Sequence, residues 1–227
     1  EGDRMSPLTF RERPARGDPL GLLVLHHGRG ADEHDLLLLA DAMDPQRRLH
    51  VASPRAPLTL PGWGGYHWYS VPRVGHPDRE TFHAAYRELA AFHDELWRRT
   101  GLTAARTVLG GFSMGAVMSY SLGLGADRPQ VAGILAFSGF IPDVEGWQPE
   151  LESRQGVRVF IAHGRQDPVI DVGFGRGARD LLEAGGLDVE YHESDVAHQV
   201  DPHRVTLAGD WLERILALGP SGSVQGA

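Results

Sequence analysis

The alternation of short apolar runs with longer segments of helical period constrains the fold of this chain more than any other feature. Runs with the length and composition of β-strands lie at 20–27, 49–53, 106–112, 131–139, 157–164 and 187–193. Four of these runs are almost continuously apolar, which is typical of parallel strands that are covered on both faces. The chain of 227 residues is long enough for one domain of this kind.

Helical patterns separate the predicted strands, at 33–43, 79–99, 114–124, 173–184 and 202–218. Asp78 is a suitable N-cap for the second of these helices, and Gly101 is suited to end it. This order predicts right-handed crossovers and a three-layer α/β fold with a mostly parallel central sheet. Functional residues in such folds lie at the carboxyl ends of the strands.

The predicted domain boundaries follow from these elements. We expect an N-terminal segment at 1–19, a single domain at 20–218 and a flexible tail at 219–227 that is rich in glycine and serine. The N-terminal segment has no basic region followed by an apolar one, so we expect no secretion signal.

The composition excludes several classes of function. The chain has no cysteine, which rules out disulfides, thiolate zinc sites and thiol catalysis, and which fits a cytoplasmic protein. A net charge of −8 argues against nucleic-acid binding. No apolar stretch approaches the ~20 residues that a membrane-spanning helix needs. There are 12 histidines, but none forms an H-E-x-x-H motif, so we expect no metal and no cofactor.

The most informative motif is GFSMG at 111–115, with Ser113 at its centre. It follows a predicted strand and precedes a predicted helix, which is the context of a nucleophile elbow. Glycines two residues to either side leave room for a strained turn that exposes the serine hydroxyl. The alternative is a glycine-rich turn without a catalytic role, since 29 glycines in the chain make a chance match quite possible.

A serine nucleophile needs a general base that is oriented by an acid. In this topology the acid and then the base follow later strands. Asp167 comes directly after the strand 157–164, and His198 lies in the loop before the last helix. We therefore predict Ser113, Asp167 and His198 as the catalytic residues. Two other acids fit less well, because Asp171 suits a helix cap and Asp195 is too near His198 in sequence. Two other histidines also fit less well as the base, because His192 lies within a predicted strand and His203 lies in a predicted helix.

Acyl transfer also needs hydrogen-bond donors for an oxyanion. The amide of Met114, directly after the candidate nucleophile, is one predicted donor. The loop after the first strand has the sequence HGRG at 27–30 and provides the other, the amide of Arg29. The Arg29 side chain is expected to point to solvent; the alternative is that its guanidinium reaches the pocket and binds a carboxylate or phosphate of the substrate.

Seven segments follow one another along the chain: LHHGRGADEHDL, SPRAP, WY at 68–69, GGFSMGAVMS, AFSGFIP, HGRQDPVI and AHQVDP. With these segments in this order, the chain resembles the phospholipase/carboxylesterase family, which includes acyl-protein thioesterases. The resemblance covers about 20–217 and implies an α/β-hydrolase fold without a large lid domain. It also implies a serine esterase that acts on carboxylic esters or thioesters. The family commonly has Leu-Gly-Asp where this chain has Arg29-Gly30-Ala31, and glutamine in place of Met114, which leaves substrate identity open.

The segment 54–76 has no clear period and is rich in proline, glycine and aromatic residues. The resemblance implies that it borders the acyl pocket, so Trp68 and Tyr69 are expected to contact substrate. The alternative is that both are core aromatics that anchor the loop. The absence of a large helical lid favours short to medium acyl groups.

Two other functions stay open at this point, a non-catalytic binding module of the same fold and a serine peptidase, which usually carries an extra domain. The expected partner is a small ester or thioester, and a homodimer is compatible with the sequence.

Overall fold

The computed structural model describes residues 8–217 of the chain. A seven-stranded sheet forms its central layer, with the strand order β1-β3-β2-β4-β5-β6-β7. All neighbouring strands pair in parallel, except that β1 is antiparallel to β3. The strands are β1 (Phe10–Arg13), β2 (Gly21–His26), β3 (Leu49–Pro54), β4 (Thr107–Phe112), β5 (Gly133–Phe137), β6 (Arg158–Gly164) and β7 (Asp188–Ser194).

Five α-helices connect the strands: α1 (Leu37–Met43), α2 (Arg79–Thr100), α3 (Met114–Gly123), α4 (Val172–Ala184) and α5 (Pro202–Ala217). The ends of α2 are those predicted from the sequence. The Asp78 side chain accepts a hydrogen bond from the Thr81 amide at 3.0 Å, and Gly101 leaves the helix with a φ of 71°. A left-handed residue at this position is the usual way to end a helix, and glycine adopts it without steric cost.

The two faces of the sheet are covered by different helices. Along β2, Leu22 and Val24 pack with residues of α2, α3 and α4, whereas Leu23 and Leu25 pack with residues of α1 and α5. This alternation follows from the period of two in a strand, which sends neighbouring side chains to opposite faces. The predicted three-layer architecture with a mostly parallel sheet is confirmed.

Two details of the fold differ from the prediction. Strand β1 was missed, because it is four residues long, has the sequence FRER and lies at the antiparallel edge of the sheet. It falls within the predicted N-terminal segment 1–19 and is part of the sheet. Helix α1 begins at Leu37 rather than at residue 33, because the chain before it forms turns in which the Glu33 carboxylate is held by Arg55.

The predicted tail at 219–227 lies outside the described residues. Among the helices within 8–217, none is both long enough and apolar enough to cross a bilayer. The same part of the chain contains no separate lid domain.

Candidate active site

Ser113 stands in a strained turn between β4 and α3. Its φ of 55° and ψ of −118° lie outside the regions that non-glycine residues normally occupy. Its amide donates to the Phe137 carbonyl at 2.9 Å, which ties the turn to β5. Such strain is held in place by the surrounding fold and is typical of functional turns.

The glycines of the motif are required by close backbone contacts. A Cβ atom on Gly115 would lie 1.8 Å from the His26 carbonyl oxygen, and one on Gly111 would lie 2.5 Å from the same oxygen. Neither contact is sterically possible without movement of the backbone. The glycines therefore allow the end of β2 and the start of α3 to meet directly beneath Ser113.

The structure brings Ser113, His198 and Asp167 into one hydrogen-bonded chain. The His198 Nε2 atom lies 2.9 Å from the Ser113 hydroxyl oxygen, and the His198 Nδ1 atom lies 2.7 Å from the Asp167 carboxylate. Because a carboxylate accepts hydrogen bonds, the geometry assigns the proton to Nδ1 and leaves Nε2 free to accept from the serine hydroxyl. The imidazole is thus oriented as a general base towards Ser113.

The carboxylate of Asp167 is fully buried and held in a single orientation. Its second oxygen accepts the amides of Val169 at 2.8 Å and Ile170 at 2.9 Å. The His163 imidazole closes the same loop, since its Nε2–H donates to the Ile170 carbonyl at 2.7 Å. His163 was not singled out in the sequence, although it directly precedes the loop that carries Asp167.

The loop of His198 is fastened to the loop of Asp167. The Arg165 amide donates to the Ser194 carbonyl at 2.8 Å, and the Gln166 amide donates to Val196 at 3.1 Å. On the other side, the imidazole of His198 packs against Phe112, with 4.9 Å between ring centroids. These contacts set the position of the imidazole relative to both of its partners.

The rejected candidate acids have other roles. Asp171 caps α4 by accepting the Gly173 amide at 2.8 Å. Asp195 is paired with Arg165 at 2.7 Å, and this partner lowers the pKa of its carboxyl group.

The rejected histidines also lie apart from the hydrogen-bonded chain. His192 bonds Glu190 at 3.0 Å within β7. His203 lies in the first turn of α5, where its amide bonds the Asp201 carboxylate at 3.0 Å.

The two predicted oxyanion donors lie on elements that meet beneath Ser113. Within residues 8–217, neither the Arg29 amide nor the Met114 amide donates to another group of the chain. The loop of Arg29 is fixed by a short bridge, in which the Gly30 amide donates to Tyr66 and the Tyr66 amide donates to Ala31, both at 2.9 Å. Free amides on rigid elements are what an oxyanion site requires.

The Arg29 side chain is exposed, as predicted, but it does not extend freely into solvent. Its guanidinium lies over the ring of Trp63, 4.5 Å from the ring centroid. Trp63 is itself 56% exposed. Arginine and tryptophan thus form an exposed pair on the loop that carries the candidate oxyanion donor, and the sequence did not predict this pair.

The structure does not support substrate contact by Trp68 and Tyr69. They are 0% and 2% exposed, so neither side chain can touch a bound ester without a change in the loop. The Trp68 indole donates to the His27 carbonyl at 2.8 Å, and its amide contacts the Met114 sulfur at 3.2 Å. Trp68 instead anchors the loop beneath the candidate oxyanion site. This agrees with the alternative interpretation, in which both residues are core aromatics.

A buried hydrogen-bonded chain behind the site was not predicted. The Ser119 hydroxyl donates to the Gly115 carbonyl at 2.9 Å and therefore accepts from His26 Nδ1 at 2.8 Å. His26 Nε2 then accepts from His93 Nε2 at 3.1 Å. Burial is the main cause that lowers the pKa of His26 to about 3 and that of His93 in the same direction. Both imidazoles are thus neutral, and they join β2 and α2 to α3.

Asp32, Glu33 and His34 bring three potential metal-ligating atoms within 4.8 Å of one another. Both oxygens of Glu33 are already bonded by Arg55 at 2.7 Å, and these bonds lower the pKa of Glu33 to about 2. The cluster therefore has an internal cation, and we assign no metal site to it.

Comparisons with known proteins identify the family of the chain. The family model described as Phospholipase/Carboxylesterase matches residues 14–216. Acyl-protein thioesterase 1 of Yarrowia lipolytica is 25% identical over 223 residues, which cover 92% of this chain and 98% of the relative.

Two solved structures of esterases superimpose on nearly the whole chain. Esterase PE8 is 30% identical, with a TM-score of 0.78, and the match covers 92% of this chain and 100% of that one. The Bacillus cereus carboxylesterase is 26% identical, with a TM-score of 0.79, and the match covers 94% and 96% of the two chains. The chain therefore belongs to the phospholipase/carboxylesterase family of α/β-hydrolases and is a serine ester hydrolase.

Proposed function

We propose that the chain cleaves carboxylic esters or thioesters with short to medium acyl groups through an acyl-enzyme on Ser113. The observation that carries this proposal is the contact of His198 with both partners, 2.9 Å to the Ser113 hydroxyl and 2.7 Å to Asp167. These distances lie within the reach that proton transfer requires.

In the acylation step, the Ser113 oxygen attacks the carbonyl carbon of the substrate while its proton passes to Nε2 of His198. The amides of Arg29 and Met114 donate to the oxyanion of the tetrahedral intermediate. As the intermediate collapses, His198 returns the proton to the leaving alcohol oxygen or thiol sulfur. The product is an ester between the acyl group and Ser113.

In the deacylation step, water attacks the acyl-enzyme and His198 accepts a proton from that water. Collapse of the second tetrahedral intermediate releases the carboxylic acid, and the proton returns to the Ser113 oxygen. Asp167 remains a carboxylate throughout and stabilises the imidazolium that forms in each step. Its two amide hydrogen bonds keep it aligned with Nδ1 of His198.

The proposed acyl length follows from the architecture of the described residues, 8–217, which hold no separate lid domain that could enclose a long lipid chain. The inclusion of thioesters is supported by the similarity to an acyl-protein thioesterase. The family implies a small-molecule substrate. A cytoplasmic location, a homodimer and the absence of nucleic-acid binding stay predictions from the sequence.

The direct test is a series of p-nitrophenyl esters from acetate to laurate, assayed with the wild type and with Ser113→Ala, His198→Ala and the double variant. We expect turnover to be greatest for short and medium chains, and each single substitution to lower kcat by about a thousandfold or more. Because the residues act as a unit, the double variant should be no worse than the poorer single variant.

His203→Ala is the matched control for His198→Ala, since His203 is exposed and outside the hydrogen-bonded chain. It should retain wild-type kinetics. A wild-type protein that hydrolyses no ester in the series would favour the non-catalytic module, whereas faster cleavage of peptide amides than of esters would favour a peptidase.

A further inference from the structure

The Arg29 side chain is a cation that the described chain leaves without an anionic partner. Other arginines near the site are paired, as Arg55 is with Glu33 and Arg165 with Asp195. Within residues 8–217, Arg29 forms no ion pair, and its guanidinium carbon lies over the ring of Trp63, 4.5 Å from the ring centroid. Stacking of this kind restricts the side chain while its N–H groups stay free to bind a planar anion.

The loop that carries this cation packs against the turn of Ser113, since a Cβ atom on Gly115 would lie 2.5 Å from the His27 carbonyl oxygen. The backbone amide of Arg29 is the proposed oxyanion donor, so the guanidinium is one side-chain length away from the substrate carbonyl. The segment that carries Trp63 is held against the oxyanion loop, since a Cβ atom on Gly65 would lie 1.8 Å from the Gly30 carbonyl oxygen. The position of the cation is therefore set by the same contacts that fix the oxyanion loop.

The ring of Trp63 is itself supported from below by a buried imidazole. His67 is 0% exposed, and its ring lies edge-on to Trp63, with 6.2 Å between the centroids. Burial, and after it the positive charge of Arg29, lowers the pKa of His67, so the supporting ring is neutral. His67 therefore helps to position the ring on which the Arg29 guanidinium lies and does not itself contact a ligand.

We propose that Arg29, held by its stack on Trp63, forms a subsite for a carboxylate, and that the enzyme prefers esters or thioesters that bear a free carboxylate in addition to the ester group. The inference rests on the proposed function, because it concerns the substrate of the same site. A guanidinium binds a carboxylate through two parallel hydrogen bonds. The net charge of the chain is −8, so an unpaired cation beside the reacting carbonyl distinguishes this region from the predominantly acidic protein around it.

The test uses two pairs of substrates that differ only in one charge. The first pair is the mono-4-nitrophenyl ester of adipic acid and the same compound with its free carboxyl methylated, which places the charge on the acyl side. The second pair is 4-acetoxybenzoate and methyl 4-acetoxybenzoate, which places it on the alcohol side. The readout is the ratio of kcat/KM between the charged and the neutral member of each pair.

The wild type should favour the charged member of at least one pair, and that pair shows on which side of the ester the carboxylate binds. Arg29→Leu should lower this ratio by about tenfold or more, as expected for the loss of a charged hydrogen bond. Arg29→Lys keeps the charge without the planar fork and should lower it less. Trp63→Ala removes the ring that holds the guanidinium in place and should lower the ratio by about threefold.

Arg87→Leu is the matched control, since it removes the same charge from an exposed position on α2 and should leave the ratio unchanged. Equal ratios in the wild type and Arg29→Leu would overturn the subsite, and an unchanged ratio in Trp63→Ala would overturn the part assigned to the stack. Failure of the proposed function is distinguishable, because it would abolish turnover of the neutral esters as well.

Discussion

Acidification should destabilise the protein well before its carboxylates titrate, because the buried pair of His26 and His93 must stay neutral. Both side chains have almost no accessible surface, 0% and 1%. Each is bound through a specific tautomer, and protonation of His26 Nε2 would place two donors face to face across 3.1 Å. Burial is the main reason that the pKa of His26 falls from 6.5 to about 3, with the neighbouring His27 as a second cause.

The sign and the size of the effect follow from this shift. Because the pKa of His26 is lower in the folded than in the unfolded state, the unfolded chain binds the proton first, and the free energy of unfolding decreases as the pH falls from 6.5 towards 3. At pH ~4.5, two units below the unfolded value, His26 alone should cost about 2.7 kcal/mol. Carboxyl groups contribute little to the pH dependence of the free energy of unfolding above pH ~4.5. The change in this free energy between pH ~7.5 and ~4.5 therefore reports chiefly on histidines.

Urea unfolding followed by circular dichroism at both pH values measures the difference for the wild type and for His26→Leu. The variant should be less stable at pH ~7.5, since it leaves His93 and Ser119 without their partner. Its loss of stability between the two pH values should nevertheless be smaller than that of the wild type by about 2.7 kcal/mol. His203→Leu, at an exposed position, should keep the wild-type difference. An equal difference in His26→Leu would refute the conclusion that His26 is held neutral by burial.

Three further substitutions test individual contacts of the fold. Gly115→Ala should abolish activity and lower the melting temperature, because its Cβ would lie 1.8 Å from the His26 carbonyl; Gly177→Ala in α4, with no neighbouring atom within 4 Å, should raise stability by up to about 1 kcal/mol in the same thermal melts. Asp78→Ala removes the N-cap of α2 and should cost about 1 kcal/mol in urea unfolding with kcat unchanged, whereas a neutral result would contradict the capping role.

The parts of the fold that could be predicted are those encoded over short stretches of chain. The apolar runs that precede Ser113, Asp167 and His198 identify the strands, and the rule that parallel strands present their carboxyl ends at one edge brings the three loops together. Similarly, Asp78 and Asp171 have the residue type and position of N-caps, and the structure gives both of them that role.

The features that were missed depend on contacts between distant parts of the chain. His26 bonds residues that are 67 and 93 positions away, and nothing in the local pattern of β2 indicates either partner. Trp68 and Tyr69 lie in a segment without a regular pattern, so their burial is decided by how that segment packs beneath the loop after β2. The stacking of Arg29 on Trp63 also depends on a contact between distant parts of the chain. It forms only when the segment that carries Trp63 packs against the loop after β2, which carries Arg29.

The central claim is that Ser113 is the nucleophile activated by His198, and covalent labelling tests it most directly. The wild type, Ser113→Ala and His198→Ala would be incubated with a fluorophosphonate probe, and the modified residue would be identified by peptide mass spectrometry. The account predicts rapid, stoichiometric modification of Ser113 in the wild type, no modification of Ser113→Ala and much slower modification of His198→Ala. Labelling of Ser113→Ala at the wild-type rate, or of another residue in the wild type, would contradict it.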